Sequence, residues 1–110
     1  MMTASTSDTP VLDLLASMTA ESVEASTLDP ETLILVRVAA LVAVDAPPFS
    51  YLTNLGAASQ VGIDADQIRG VLAAVAPIVG TARVASATGK IVDALNVAIE
   101  VADLDAQSNG

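Results

Sequence analysis

Apolar residues recur at helical spacing along most of this chain. Val11, Leu14, Leu15 and Met18 fall at i, i+3, i+4 and i+7, which makes one stripe of a helix. Asp8 or Thr9 is placed to cap that helix, and Pro10 suits its first turn. Residues 19–28 are rich in Ser, Thr and Glu and read as a linker, either bare or carrying a helical turn. Asp29, Pro30 and Glu31 then form a strong helix start: an N-cap, a proline at N1 and an acid at the positive end of the dipole. Nearly every residue over 33–44 is apolar. A helix apolar all round expects burial all round, either at the centre of the fold or beneath a neighbouring subunit. Arg37 interrupts it and has no acid at i±3 or i±4, so its partner must come from another element.

The Asp-Ala-Pro-Pro sequence at 45–48 ends this helix, because Pro47 biases Ala46 away from helical angles. A third helix is expected over 48–61, with Gly62 as its left-handed C′ residue. Asp64 and Gln67 have capping-box spacing, and Ile68, Val71, Leu72 and Val75 form the core stripe of a fourth helix that ends near 77–80. A fifth runs from about Thr81 to about Leu104. Within it Gly89 costs roughly 1 kcal/mol relative to Ala, and so marks a close contact or a kink. Ile91, Leu95, Ala98 and Ala102 share one face of it, and Asp93, Glu100 and Asp103 share the other. The pattern predicts an all-α, compact bundle of about five helices: one domain over 10–104, a disordered tail over 1–9 and a polar tail over 105–110.

Composition changes that picture in one respect. At 110 residues and 53% apolar, the chain has more grease than a small monomer buries, so an oligomer or an apolar cavity is expected. No apolar run reaches the roughly 20 residues of a membrane span, and the start lacks the basic region of a signal peptide, so a cytoplasmic protein that does not enter membranes is expected. A net charge of −9, from 13 acids against four bases, opposes nucleic-acid binding. With no cysteine and no histidine there is no thiolate, and neither the usual neutral-pH base nor the commonest metal ligand is present. No metal or cofactor site is expected. The other carboxylates read as structural: Asp64 and Asp66 sit where caps and first-turn acids belong, Asp45 sits in a turn, and Lys90 is placed to pair with Asp93. Ser50, Tyr51 and Asn54 are the polar candidates for a site. Tyr51 and Asn54 are three apart on one face, and the bland alternative is a buried tyrosine whose hydroxyl is satisfied.

Four segments in order carry a likeness. They are Leu-Val-Arg-Val-Ala-Ala-Leu-Val-Ala-Val at 35–44, Asn-Leu-Gly-Ala-Ala-Ser-Gln-Val-Gly at 54–62, Ile-Asp-Ala-Asp-Gln-Ile at 63–68 and Val-Leu-Ala-Ala-Val-Ala-Pro-Ile-Val-Gly at 71–80. In order and spacing, over 29–95, the chain resembles the carboxymuconolactone decarboxylase and alkylhydroperoxidase D-like family. The resemblance implies that family's helical fold and assembly as a trimer or hexamer. The peroxidase branch carries Cys-x-x-Cys-x-x-x-His, which maps onto Pro47, Ser50 and Asn54, and a family glutamate falls near Leu35. Every catalytic position therefore departs from the pattern. Proline forms no disulfide and Ser50 has no base to activate it, which all but excludes peroxidase activity. The decarboxylase branch uses a histidine where this chain has Asn54, and an amide moves no proton at neutral pH. The implied function is an oligomeric scaffold, or a module that binds a partner or a small apolar or acidic ligand, without catalysis. The alternative is decarboxylase- or lactone-type chemistry by Asn54, Tyr51 and a carboxylate. The 33–44 helix or the 91–104 helix is expected at the subunit interface.

Overall fold

The computed structural model describes residues 8–109 and, within them, the side-chain surroundings of residues 8–96 and of Leu104. Among the described residues there are five helices and no strand: α1 (Pro10–Ala25), α2 (Pro30–Val44), α3 (Pro48–Gln60), α4 (Ala65–Val79) and α5 (Thr81–Asn109). Helices α2 to α5 form one bundle, in which α2 packs on α3 and α4 and α3 packs on α5. Helix α1 stands off from it. The radius of gyration is 16.2 Å, against about 13 Å for a compact chain of this length.

Most helix ends form as the sequence dictates. The Asp29 carboxylate accepts from the Thr32 N–H at 2.8 Å. The capping box closes in both directions: Asp64 accepts from the Gln67 N–H at 2.9 Å, and Gln67 accepts from the Asp64 N–H at 3.0 Å. Gly62 ends the α3 region at φ +85°, a left-handed angle that a Cβ would strain. Asp45 takes the left-handed conformation at the end of α2, at φ 56°. Asp and Asn are among the few residues with side chains that visit that region.

The core forms two clusters along α2. Leu33, Ile34 and Val38 pack with Ala58 and Ile63, while Val42 packs with Ala46, Tyr51, Ala87 and Ala94. Val38 and Val42 are fully buried. At about 25 cal/mol per Å² of apolar surface, these two seams hold α3, α4 and α5 onto α2.

The structure corrects several expectations. Residues 19–25 are helical rather than linker: Thr19 turns its hydroxyl onto the Leu15 carbonyl at 2.9 Å, and α1 continues to Ala25. Thr9 sits at the N-cap but makes no side-chain capping bond; its hydroxyl donates to Asp13 instead. Within the single chain helix α2 is not buried all round, since Val36 and Val44 are exposed; of the two covers expected, the centre of the fold supplies only part. Gly89 is exposed, and a Cβ built there would meet nothing within 4 Å, so it marks no close contact. Among the described side chains of α5, Ala87 and Ala94 are the buried ones, whereas Leu95 is half-exposed. The helix also runs five residues past Leu104, through the segment expected as a tail, to Asn109. The expected tail over 1–9 falls mostly, at 1–7, outside the described residues, as do Gly110 and the side chains of Ala98 and Ala102. No helix among the described residues is long and apolar enough to cross a membrane.

Candidate functional site

Ser50, Tyr51 and Asn54 occupy the first turn and a half of α3, just after the Pro47–Pro48 turn. The Asn54 amide donates to the Ser50 carbonyl at 2.9 Å, one turn back on its own helix, and the Thr53 hydroxyl reaches the same oxygen at 3.1 Å. Asn54 is half-buried, and its bond stays within α3.

Tyr51 lies entirely inside the second core cluster. Its hydroxyl has no hydrogen-bond partner, which differs from the satisfied phenol expected of a buried tyrosine. Burial pushes the phenol's pKa above 10.0, and the negative charge of Asp45 pushes it the same way. The proton therefore stays on the oxygen at neutral pH, and Tyr51 offers no base.

Asp45 is held by a cross-helix staple. Its carboxylate takes the Lys90 ammonium at 2.9 Å and the Ser86 hydroxyl at 2.8 Å, and Lys90 also reaches the Asp45 carbonyl at 3.2 Å. Arg83 adds a hydrogen bond to the Ala43 carbonyl. Lys90 is thus paired with Asp45 rather than Asp93. The left-handed turn presents two acceptors of one residue to it, where Asp93 offers one exposed carboxylate. The Lys90 hydrogen bond first, and the Ser86 hydrogen bond next, hold the Asp45 carboxyl below its usual range. Two groups, the Lys90 ammonium and the Ser86 hydroxyl, already engage that residue, which ties the turn after α2 to α5.

The open feature of the molecule lies elsewhere. Between α3, α4 and α5 runs a groove of about 440 Å³, lined by Leu55, Ile63, Ile68, Leu72, Ile91, Val92 and Leu95, with Ser59, Asp64, Arg69 and Thr88 at its polar margins. A smaller recess of about 200 Å³ shares Leu55, Ser59 and Leu95 with it and continues along α3 to Leu52 and Gly56. The groove's size falls within the range of ordinary ligand sites. Its wall is apolar, and its cation, Arg69, forms an exposed pair with Asp66. None of Ser50, Tyr51 and Asn54 lines either recess. Sequence reasoning missed this groove because its walls are the core stripes of α4 and α5, which read as ordinary packing positions. The available signal was the half-exposure implied by two apolar neighbours, Ile91 and Val92, beside Leu95 on one helix.

No group of His, Cys, Asp or Glu that could hold a metal occurs among the described residues. Compared with family models, with curated proteins and with solved structures, the chain gives no match.

Proposed function

We propose that this chain is a binding module without catalytic activity, a cysteine- and histidine-free relative of the carboxymuconolactone decarboxylase and alkylhydroperoxidase D-like proteins that works as a homo-oligomer. The single observation that carries the reading is the open groove between α3, α4 and α5, whose wall is aliphatic and whose one carboxylate, Asp64, is engaged in the capping box with Gln67. The polar residues at the position where the family keeps its chemistry support it from the other side. Tyr51 is sealed in the core and Asn54 is turned onto its own helix. The helix order and the punctuation at Asp29, Gly62 and the Asp64–Gln67 box support the family relationship.

The groove is suited to an aliphatic group. Arg69 at its margin suits an acidic end, because an exposed i,i+3 pair with Asp66 is worth little and yields readily to another carboxylate. Dodecanoate is a direct probe. Calorimetric titration of the full chain should show saturable binding. Val92→Asp, at a half-exposed wall position, should weaken that binding about tenfold by placing a charge where an apolar contact was. Tyr51→Phe and Asn54→Ala should leave it unchanged. Binding that is lost with Tyr51→Phe or Asn54→Ala, while Val92→Asp binds normally, would return the site to α3 and reopen the catalytic alternative.

A further inference from the structure

We infer that the apolar stripe of α1 docks in the α3–α4–α5 groove of a second copy of the chain, the two copies exchanging arms. The inference rests on the reading of that groove as a binding site and names its occupant. Two features of one molecule match each other. Helix α1 buries no residue, and Val11, Leu14, Leu15 and Met18 are each between 50% and 67% exposed on one face. The groove is an apolar surface without a helix on it, and no α1 residue lines it. The stripe has the i, i+3, i+4, i+7 spacing by which an amphipathic helix fills such a groove.

The arm's own groove is not its seat. Arg37 on α2 donates to the Thr19 carbonyl at 3.3 Å and to the Ser22 hydroxyl at 3.0 Å, which fastens the C-terminal half of α1 to α2. These are the bonds that the lone charge of α2 was expected to find in another element. They leave residues 10–18 projecting from the bundle, and only four residues, 26–29, join α1 to α2.

Area selects the exchange. Four side chains of this size at these exposures offer about 400 Å², and covering them removes about half as much from the groove and the recess beside it, so one docked arm hides about 600 Å², less than many lattice contacts. Two reciprocally exchanged arms hide about 1,200 Å², which reaches the lower bound of a specific interface. Two-fold symmetry supplies this automatically, since each copy gives one arm and receives one. Val92 and Leu95, in the 91–104 segment named as one of two candidates for the interface, become the receiving wall.

The chain's lack of cysteine makes the test clean. Purified Leu14→Cys and Val92→Cys chains, mixed and oxidised, should form a disulfide-linked heterodimer in preference to either homodimer. Light scattering of the wild type should give twice the 11.0 kDa of one chain. The Leu14→Glu/Leu15→Glu chain should be an 11.0 kDa monomer of unchanged helicity, with dimer affinity weakened at least a hundredfold. Because the arm no longer competes, this variant should bind dodecanoate at least tenfold more tightly than wild type does. Val92→Asp should also dissociate the dimer, and because it spoils the groove it also frees, its dodecanoate affinity should fall at least a hundredfold below that of the Leu14→Glu/Leu15→Glu chain. A wild-type monomer that still binds dodecanoate overturns the exchange and leaves the groove reading standing. An intramolecular link in the Leu14→Cys/Val92→Cys double variant, on a monomer, assigns the groove to the chain's own arm and also overturns it. A monomer that binds no dodecanoate overturns both readings.

Discussion

Helices α1 and α2 are neighbours in sequence, similar in length and both rich in aliphatic residues, yet they meet opposite fates. Each begins with a proline in its first turn. Helix α2 buries Leu33, Ile34, Val38 and Val42, and three other helices pack on it. Helix α1 buries nothing and leaves Val11, Leu12, Leu14, Leu15 and Met18 at least half-exposed. An apolar stripe therefore says that a helix has something to bury, and it does not say what covers it. The two stripes differ in their cover. Helix α2 carries apolar residues on more than one face, so α3 and α4 can pack on it together. The single narrow stripe of α1 needs one groove, and the chain's groove lies on other helices.

The comparison breaks most visibly under a buried charge. Val38→Asp should unfold the bundle, because a carboxylate would replace a side chain with no exposure inside an apolar cluster; the cost is about 4 kcal/mol or more, most of a small domain's stability. Leu15→Asp should leave the helical circular-dichroism signal and the fold of α2 to α5 intact, its stripe being open in the single chain. Equal loss of structure in the two variants would show that α1 belongs to the folding core.

The start of α2 gives a smaller effect. The Asp29 carboxylate satisfies the Thr32 N–H and also takes the Thr32 hydroxyl at 3.1 Å. Asp29→Ala should lower the midpoint of chemical denaturation by a small but measurable amount, as loss of a side-chain cap does. Asp29→Asn should recover most of it, since an amide oxygen still accepts. A loss that Asn does not recover would mean that the charge, rather than the cap, is what stabilises α2.

What the sequence disclosed and what it hid divide along the same line. Asp29, Gly62 and the Asp64–Gln67 box were legible because a cap is a local event, decided within three or four residues. The need of Arg37 for a distant partner was legible as an absence, and Thr19 and Ser22 fill it. The partner of Lys90 was not legible, because Asp45 lies 45 residues away and reaches α5 only through a left-handed turn. The helicity of 19–25 was obscured by Ser and Thr, whose local preference is weak and yields where a hydroxyl bonds back to a carbonyl one turn earlier. At the candidate site, the positions of Ser50, Tyr51 and Asn54 on one helix were readable. Their surroundings were not: Tyr51 is sealed by Val42, Ala46, Ala87 and Ala94 from three other segments. The groove was invisible for the same reason, being a gap left between three helices.

The finest distinction between α1 and α2 is in their response to acid. Helix α2 has a carboxylate of lowered pKa just beyond each end. Asp29 is lowered chiefly by the Thr32 backbone N–H and then by the Thr32 hydroxyl, and Asp45 chiefly by the Lys90 hydrogen bond and then by the Ser86 hydroxyl. Both depart from an ordinary value of 3.8. A carboxyl that is more acidic in the folded chain than in the unfolded one binds protons less readily when folded. Its contribution to stability is thus complete above the ordinary value and is lost as pH falls through the folded one. Both ends of α2 should therefore loosen only below about pH 4, and both groups are well solvated, so the change is slight. Carbon-detected NMR titration should place both midpoints below 3.8. Lys90→Met should move the Asp45 midpoint up toward that value and leave the Asp29 midpoint in place, because the two carboxylates are held by separate donors. A midpoint for Asp45 that ignores the loss of Lys90 would mean that the staple between α2 and α5 is not formed in solution.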